Sequence, residues 1–160
     1  MLTGDAKPFP VVQTAFDETQ GQFSPDGRWL AYTSNESGRD EVYVRPFPDA
    51  GGKWQVSTGG GSMSRWRSDG KELFYVAADA KLMAVPIGVA PQGRAVTAGA
   101  PVALFPTRLA NGAGINLTGS QSRALYAVAA DGRFLMNVNV ESETAMPITI
   151  VQNWDAALKK

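Results

Sequence analysis

The stretch that decides the fold is FSPDGRWLAYTSN, residues 23–35. A Ser-Pro-Asp-Gly tetrapeptide stands directly before a run of aromatic, aliphatic and β-branched residues. Proline presets the first corner of a turn, aspartate caps backbone amides, and glycine adopts the positive φ that a Cβ disfavours. The apolar run that follows is typical of a buried strand. The sequence therefore predicts a β-hairpin that turns at Asp26 and Gly27.

The same combination of turn and apolar strand occurs twice more along the chain. The matching segments are RWRSDGKELFYVAA, residues 65–78, and AVAADGRFLMNVNV, residues 127–140. The glycines of the three turns stand 43 and 62 residues apart. The first spacing is that of a four-stranded propeller blade, and the second is one blade plus an insertion. The fold class predicted is therefore all-β, a β-propeller of four-stranded antiparallel blades with three blades per chain.

The Asp-Gly pairs of the second and third turns receive the same interpretation as the first. They are Asp69 with Gly70 and Asp131 with Gly132. A single carboxylate per turn lacks the clustered oxygen ligands that Ca²⁺ requires. We interpret all three pairs as structural turn residues, and we predict no metal and no cofactor.

Residues around each turn supply the remaining strands of a blade. Blade one is assigned to residues 19–58, blade two to 62–107 and blade three to 123–154. In blade one the third and fourth strands are predicted at Glu41–Phe47 and Lys53–Thr58, and in blade two at Lys81–Ile87 and Pro101–Thr107. In blade three only a third strand is predicted, at Pro147–Trp154. The segment 59–64 is predicted as a flexible crossing, and the segments 88–100 and 108–123 as long loops.

The segment PFPVVQT, residues 8–14, resembles the predicted fourth strands in length and pattern. We predict that it is a blade-closing strand, because blade three has no fourth strand of its own and pairing hides a sheet edge. Propellers have typically 4–8 blades, so three blades do not close a ring. Either the chain is part of a longer propeller or two copies form a homodimeric ring of six blades, and the hypothesis preferred here is the homodimer.

Composition narrows the range of functions. The chain has 15 basic and 15 acidic side chains in 160 residues and no basic run, which argues against a nucleic-acid partner. It contains no cysteine and no histidine, which excludes thiolate metal sites, a cysteine nucleophile and the Ser-His-Asp triad. No run approaches the roughly 18 apolar residues of a membrane span, so membrane insertion is not expected.

Five stretches together resemble the TolB-like, WD-repeat-like β-propeller segments at the C-termini of bacterial serine/threonine protein kinases and regulators. They are FSPDGRWLAYTSNESGRDEVYVRPFP, GGKWQVSTGGG, RWRSDGKELFYVAADAKLMAVPI, AGAPVALF and ITIVQNWDAALKK. The sequence departs from the family pattern at Ser64, where proline is frequent, and at AADG in the third turn. The resemblance implies a propeller without catalytic residues and a parent protein that carries upstream blades and an effector domain. A periplasmic or other extracytoplasmic location follows for the parent family only, and the sequence leaves the location of this chain open.

A binding or scaffold module is the function that these features predict, with self-association and a protein or peptide as partners. Residues beside the innermost strands are expected near a channel mouth. These candidate binding residues are Asp17, Glu18, Gln20, Met63, Arg65, Arg123 and Tyr126. Trp54 or Trp154, if exposed, would anchor a peptide. Trp29, Trp66 and Phe74 are predicted to form the core between blades, and Asp17 and Glu18 can equally be a solvated turn.

Two alternatives stay open at this point. One is a fragment of the extracytoplasmic sensor domain of a receptor-like kinase, which follows from the resemblance alone. The other is a metal-dependent propeller hydrolase or lyase, which without histidine would need a channel site built from Asp17 and Glu18. A bound divalent ion at the channel would distinguish an enzyme from a scaffold.

Overall fold

The computed structural model describes residues 7–48, 51–90, 95–109, 125–138 and 148–151, and within them the chain forms strands and no helix. The strands are β1 Glu18–Phe23, β2 Trp29–Ser34, β3 Glu41–Pro46, β4 Trp54–Gln55, β5 Gly61–Trp66, β6 Glu72–Ala77, β7 Lys81–Val89, β8 Val96–Ala98, β9 Val102–Pro106, β10 Tyr126–Val128, β11 Phe134–Asn137 and β12 Ile148–Val151. In the described residues they belong to three antiparallel sheets, one in each segment predicted as a blade, and these sheets are named blades one, two and three below.

Blade one is a four-stranded sheet with the order β1-β2-β3-β4, as the sequence predicts. All six residues of β2 are buried, which is expected of a strand covered on both faces. The fourth strand is shorter than the predicted Lys53–Thr58, because pairing ends at Gln55. The next residue, Val56, still donates its amide hydrogen to the carbonyl of Val42 at 2.8 Å.

Blade two contains one strand that the sequence interpretation missed. Strands β5, β6, β7 and β9 form the predicted four-stranded blade, with β9 paired to the Lys81–Ala84 half of β7. β7 runs on to Val89, and its second half pairs with β8. The segment 88–100, predicted as a loop, therefore contains a hairpin that extends the blade, and Val96 of that hairpin is buried.

Blade three shows three strands in the order β10-β11-β12 within the described residues. An isolated bridge joins Leu109 to Val138 and connects the end of blade two to this sheet. The predicted strand Pro147–Trp154 appears as β12 at Ile148–Val151, while Pro147 and residues 152–154 lie outside the described residues.

The strand predicted at residues 8–14 is absent from the single chain, where these residues lie across blade one. Their pairing with blade three of a second copy stays a prediction. Val11 and Val12 pack against Leu30, Tyr32 and Tyr43, and the Val11 carbonyl accepts a hydrogen bond from Arg45 Nη1 at 2.9 Å. Prolines at positions 8 and 10 have no backbone N–H to donate to a ladder, which disfavours the strand.

The three Asp-Gly turns share one hydrogen-bonded geometry. The glycine amide donates to the carbonyl three residues earlier at 2.9, 2.9 and 3.0 Å, and each aspartate Oδ1 accepts the amide hydrogen two residues later at 3.1, 3.0 and 3.2 Å. Gly27, Gly70 and Gly132 have φ values of 71°, 71° and 86°. Glycine is therefore required here by the left-handed backbone.

Replacing Gly27 with alanine is expected to lower the free energy of unfolding by about 1–2 kcal/mol, the cost of a left-handed L-residue. The added Cβ would meet no atom within 4 Å, so the effect is backbone strain alone. Urea denaturation measures it. The control is Gly21→Ala, whose φ is not positive and whose Cβ would make an ordinary 3.5 Å contact with Leu30. Equal stability of the two variants would contradict the assignment.

Two apolar clusters join the blades face to face. The cluster between blades one and two consists of Trp29, Ala31, Val42, Val44, Val56, Leu73, Tyr75, Val85, Ile87 and Val96. The cluster between blades two and three consists of Met63, Phe74, Val76, Leu82, Ala84, Leu109, Leu125, Tyr126, Phe134 and Met136. The predicted core residues Trp29 and Phe74 are confirmed as buried, and Trp66 packs half-buried against the first cluster.

Candidate functional site

The innermost strands of the three blades are tied together by hydrogen bonds near Met63. Gln20 Oε1 accepts the Met63 amide hydrogen at 2.6 Å and the Thr33 hydroxyl hydrogen at 3.2 Å. The Tyr126 hydroxyl donates to the Met63 carbonyl at 2.8 Å. Gln20 of blade one, Met63 of blade two and Tyr126 of blade three thus form one continuous line of contacts.

The backbone at two of these positions is left-handed. Gln20 and Met63 have φ values of 58° and 56°, and both lie where the pairing register of β1 and β5 shifts. A non-glycine residue with positive φ is uncommon, and such conformations concentrate at sites where structure serves a function. The bulges turn the Gln20 side chain and the Met63 peptide toward each other, and neither sequence position carries a glycine or asparagine to reveal this.

Arg65 completes the group. Its guanidinium lies 5.5 Å from the centroid of the Tyr126 ring, and Nη1 donates to the Ser64 carbonyl at 2.7 Å. Burial raises the pKa of the Tyr126 hydroxyl, and the nearby Arg65 charge opposes part of that rise. Four of the predicted binding residues, Gln20, Met63, Arg65 and Tyr126, are therefore close neighbours in the structure.

The remaining candidates are not part of this group. Asp17 exchanges hydrogen bonds with the Asn35 side chain at 3.0 and 3.1 Å, and Glu18 accepts one from the Thr14 hydroxyl. Both contacts lie at the exposed start of β1 and fit the solvated turn that the sequence allowed. Arg123 and Trp154 lie outside the described residues. Trp54 is half-buried against the first core cluster and 5.9 Å from Trp29, so it is not the exposed anchor that was considered.

Tyr126→Phe is expected to lower the free energy of unfolding by about 1–2 kcal/mol, because it removes the hydroxyl and leaves the Met63 carbonyl without its partner in a buried setting. Thermal or urea denaturation measures the change. Tyr32→Phe, in which the ring also lies in an apolar cluster, serves as the matched control. A Tyr126→Phe variant as stable as the wild-type chain would show that the hydroxyl does not hold blade three to blade two.

A second feature, a cavity of about 280 Å³, lies where the turns of blades one and two meet. Its apolar floor comes from Trp29, Trp66 and Ile87, and its rim includes Asp26 and Asp69. The Trp66 indole N–H donates to the Gln22 carbonyl at 3.1 Å, which fixes the ring between the two blades. Sequence reasoning assigned each of these residues to the core or to a turn, but the cavity depends on two turns 43 residues apart coming together.

The Asp26 carboxylate at this rim accepts hydrogen bonds from its own turn. The Ser24 hydroxyl donates to Asp26 Oδ1 at 2.6 Å, and this hydrogen bond is the main reason that the pKa of Asp26 is lowered from its ordinary value. Burial opposes this as the second-largest effect on the pKa, and the Arg28 backbone amide and guanidinium lower the pKa further. The carboxylate is therefore ionised throughout the neutral and mildly acidic range.

Ser24→Ala is expected to raise the pKa of Asp26 toward 3.8, the ordinary value, as followed by NMR titration of the carboxyl carbon. A carboxyl group whose pKa is lower in the folded chain than in the unfolded chain stabilises the fold at a pH above the unfolded pKa. That stabilisation is lost as the pH falls through the folded pKa. The variant should thus lose stability less steeply than the wild type below about pH 4. The Ser68→Ala control, whose hydroxyl donates to Ala130, should leave Asp26 unchanged. An unaltered titration in Ser24→Ala would contradict the assigned cause.

Other site chemistry is sparse in the described chain. No group of three or more His, Cys, Asp or Glu side chains is placed to hold a metal ion within the ranges described. The same residues include no helix that is long and apolar enough to cross a membrane.

Together, the sheets and their contacts define an all-β repeat protein of antiparallel, blade-like sheets packed face to face. No protein-family model matches the sequence, and no curated protein matches it. Among solved structures, a match is the crystal structure of TolB from Acinetobacter baumannii, with 16% sequence identity and a TM-score of 0.49. The match covers 76% of this chain and 26% of the TolB chain, so the chain spans about a quarter of that protein. The association with kinases and the extracytoplasmic location stay predictions.

Proposed function

We propose that the chain is a non-catalytic β-propeller binding scaffold and that two copies complete a six-bladed ring. The observation that supports this most directly is the exposure of apolar side chains on the outward faces of blades one and three. In a closed propeller these are the faces against which a neighbouring blade packs. Three blades fall short of the 4–8 that close a ring, whereas twice three lies within that range.

The outward face of blade one is aromatic. Phe23 pairs with Leu30 in the β1-β2 register and is 53% exposed. Its ring lies 4.7 Å from Phe47, which in turn stacks on Phe9 at 6.5 Å. The N-terminal segment covers Leu30 and Tyr32 through Val11 and Val12, but Phe9 is 62% exposed, so an aromatic surface remains open beside the covered part. A docking blade would contact Phe9 and Phe23 together.

The outward face of blade three is marked by Leu135. Its neighbours in β11, Phe134 and Met136, are buried in the cluster shared with blade two. Because successive side chains of a strand point to opposite faces, Leu135 points away from blade two. It is 45% exposed. Such apolar surface at both ends of a repeat array favours association with another blade.

Leu135→Asp tests the ring, with Val102→Asp as the matched control. Val102 is 43% exposed but lies in β9 of the middle blade, away from the outward faces. Sedimentation equilibrium is expected to show that the wild type and Val102→Asp are dimers. Leu135→Asp should associate at least about tenfold more weakly, because burying an aspartate in the interface removes its charge from water at a high cost in free energy. Equal association of all three proteins would contradict an interface at blade three. Additional blades of a longer chain, the other route to closure, would leave all three as single chains.

A further inference from the structure

The cavity between the turns of blades one and two has an uneven lining. Trp29, Trp66, Ile87 and Val89 supply an apolar floor, and the first two are held by packing and by the bond from the Trp66 indole to Gln22. Polar groups lie only at the rim formed by the two turns. A small apolar recess with a few polar groups on one side is the usual form of a recognition pocket.

The two rim aspartates each have one oxygen engaged and one available. Oδ1 of Asp26 accepts from Ser24 and Arg28, and Oδ1 of Asp69 accepts from the Lys71 amide. Oδ2 of each lies 3.7 Å from an arginine Nε, that of Arg28 or Arg67, which is beyond hydrogen-bond length. Among the described residues neither Oδ2 accepts a hydrogen bond.

The third turn provides an internal comparison. Asp131 has the same backbone capping bond, but its Oδ2 lies 2.8 Å from Arg133 Nε and accepts a hydrogen bond from it. The acid that does not line the cavity is thus neutralised closely by its own arginine. The two acids that line it are paired only loosely, so they can accept hydrogen bonds from another cation.

We propose that this cavity binds the side chain of an arginine or lysine presented by a protein partner. The alkyl stem would pack on Trp66 and Ile87, and the cationic head would reach the free oxygens of Asp26 and Asp69. Tryptophan is also the side chain that best attracts a cation to its face. The lining itself holds two carboxylates and the ammonium of Lys71, while Arg28 and Arg67 lie beside the carboxylates at 3.7 Å and leave one oxygen of each without a hydrogen bond. The inference rests on the proposed role as a binding module and names its partner chemistry.

Two capped pentapeptides test the proposal, each with two glycines on either side of a central residue that is arginine in one and norleucine in the other. Each is titrated into the full chain while NMR follows the indole N–H signals of its four tryptophans. The arginine peptide should shift the Trp66 signal with a dissociation constant of about 1–10 mM, as expected for one small group. The norleucine peptide should bind at least about tenfold more weakly, because it keeps the stem and lacks the charge.

Asp26→Asn and Asp69→Asn are each expected to weaken binding of the arginine peptide about three- to tenfold, since asparagine still caps the turn but carries no charge. Asp131→Asn is the matched control, the same change in the same kind of turn away from the cavity, and should have no effect. Equal binding of the two peptides, no saturable shift up to about 20 mM, or equal weakening by Asp131→Asn would each overturn the proposal. The peptide comparison uses the wild-type chain alone, so it decides the matter even if a variant fails to fold.

The molar mass of the same samples separates this inference from the ring. The cavity lies between two blades of one chain, so it does not need a second copy. A single chain that binds the arginine peptide would contradict the ring and support the cavity. A dimer that does not bind it would do the reverse.

Discussion

Replacing Glu41 with alanine is expected to lower the free energy of unfolding by about 3–4 kcal/mol, because each buried donor left unsatisfied costs about 1–3 kcal/mol. Glu41 is only 2% exposed. Its Oε1 accepts the Gly60 amide hydrogen at 2.8 Å, and its Oε2 accepts the Ser57 hydroxyl hydrogen. The Ser57 hydroxyl oxygen accepts the Val42 amide hydrogen at 2.8 Å. One carboxylate thus organises the whole crossing from blade one to blade two.

The crossing has no room to compensate for this loss. A Cβ on Gly60 would lie 2.7 Å from Ala78, and one on Gly61 would lie 2.6 Å from Ser57. The segment 59–64, predicted as flexible, is therefore tightly packed, with Gly60 and Gly61 buried. Removal of the Glu41 side chain leaves the Gly60 amide facing a void instead of a new partner.

Urea denaturation at one fixed protein concentration measures the effect, because association would otherwise contribute to the apparent stability. Glu41→Gln should cost less, about 1–2 kcal/mol, since an amide oxygen can still accept one of the two hydrogen bonds. Glu36→Ala, which removes the partner of the half-exposed Lys53, is the control and should change stability by about 0.5 kcal/mol. If the free energy of unfolding of Glu41→Ala lay within about 1 kcal/mol of the wild-type value, the crossing would not depend on the carboxylate.

Phe134→Ala is expected to destabilise the chain by about 3–5 kcal/mol, the usual cost of removing a buried phenylalanine. The ring is fully buried and lies 5.0 Å from Phe74, 5.8 Å from Phe105 and 6.5 Å from Tyr126. These partners belong to β6, β9 and β10, so one side chain joins the middle blade to the third. Its loss should loosen blade three before the rest of the chain.

Two measurements distinguish this from a general loss of packing. Phe134→Leu should cost about 1–2 kcal/mol, because a smaller apolar side chain fills part of the cavity. Val102→Ala, at a 43% exposed position, should change the free energy of unfolding by no more than about 0.5 kcal/mol. Hydrogen exchange should become faster in β10 and β11 of Phe134→Ala than in β2 and β3 of blade one. Equal acceleration in all of these strands would contradict a role specific to the junction.

The hairpins were predictable because their signals are local. Asp26-Gly27 and its two repeats specify a turn by residues that touch only their own neighbours, and the apolar run after each turn is long enough to identify a strand. The order of the strands in blades one and two then follows from hairpin connections between consecutive strands.

The features that the sequence did not predict depend on contacts between distant parts of the chain. Residues 8–14 have the composition of an edge strand, but packing of Val11 and Val12 on blade one decides their conformation. β8 was missed because it has only three residues, and only the extension of β7 creates a partner for it. The sequence placed Gln20 and Met63 at the candidate site, but it did not predict their left-handed backbone. The hydrogen bond between them joins residues 43 positions apart, so no local pattern reveals it.

The molar mass of the wild-type chain in solution, measured by light scattering on a sizing column across a range of concentrations, tests the central claim most directly. A homodimeric six-bladed ring predicts a mass of about twice the 17.0 kDa of the chain, with no dissociation at micromolar concentration. A mass of one chain at every concentration would contradict the ring, and the outward faces of blades one and three would then require another partner.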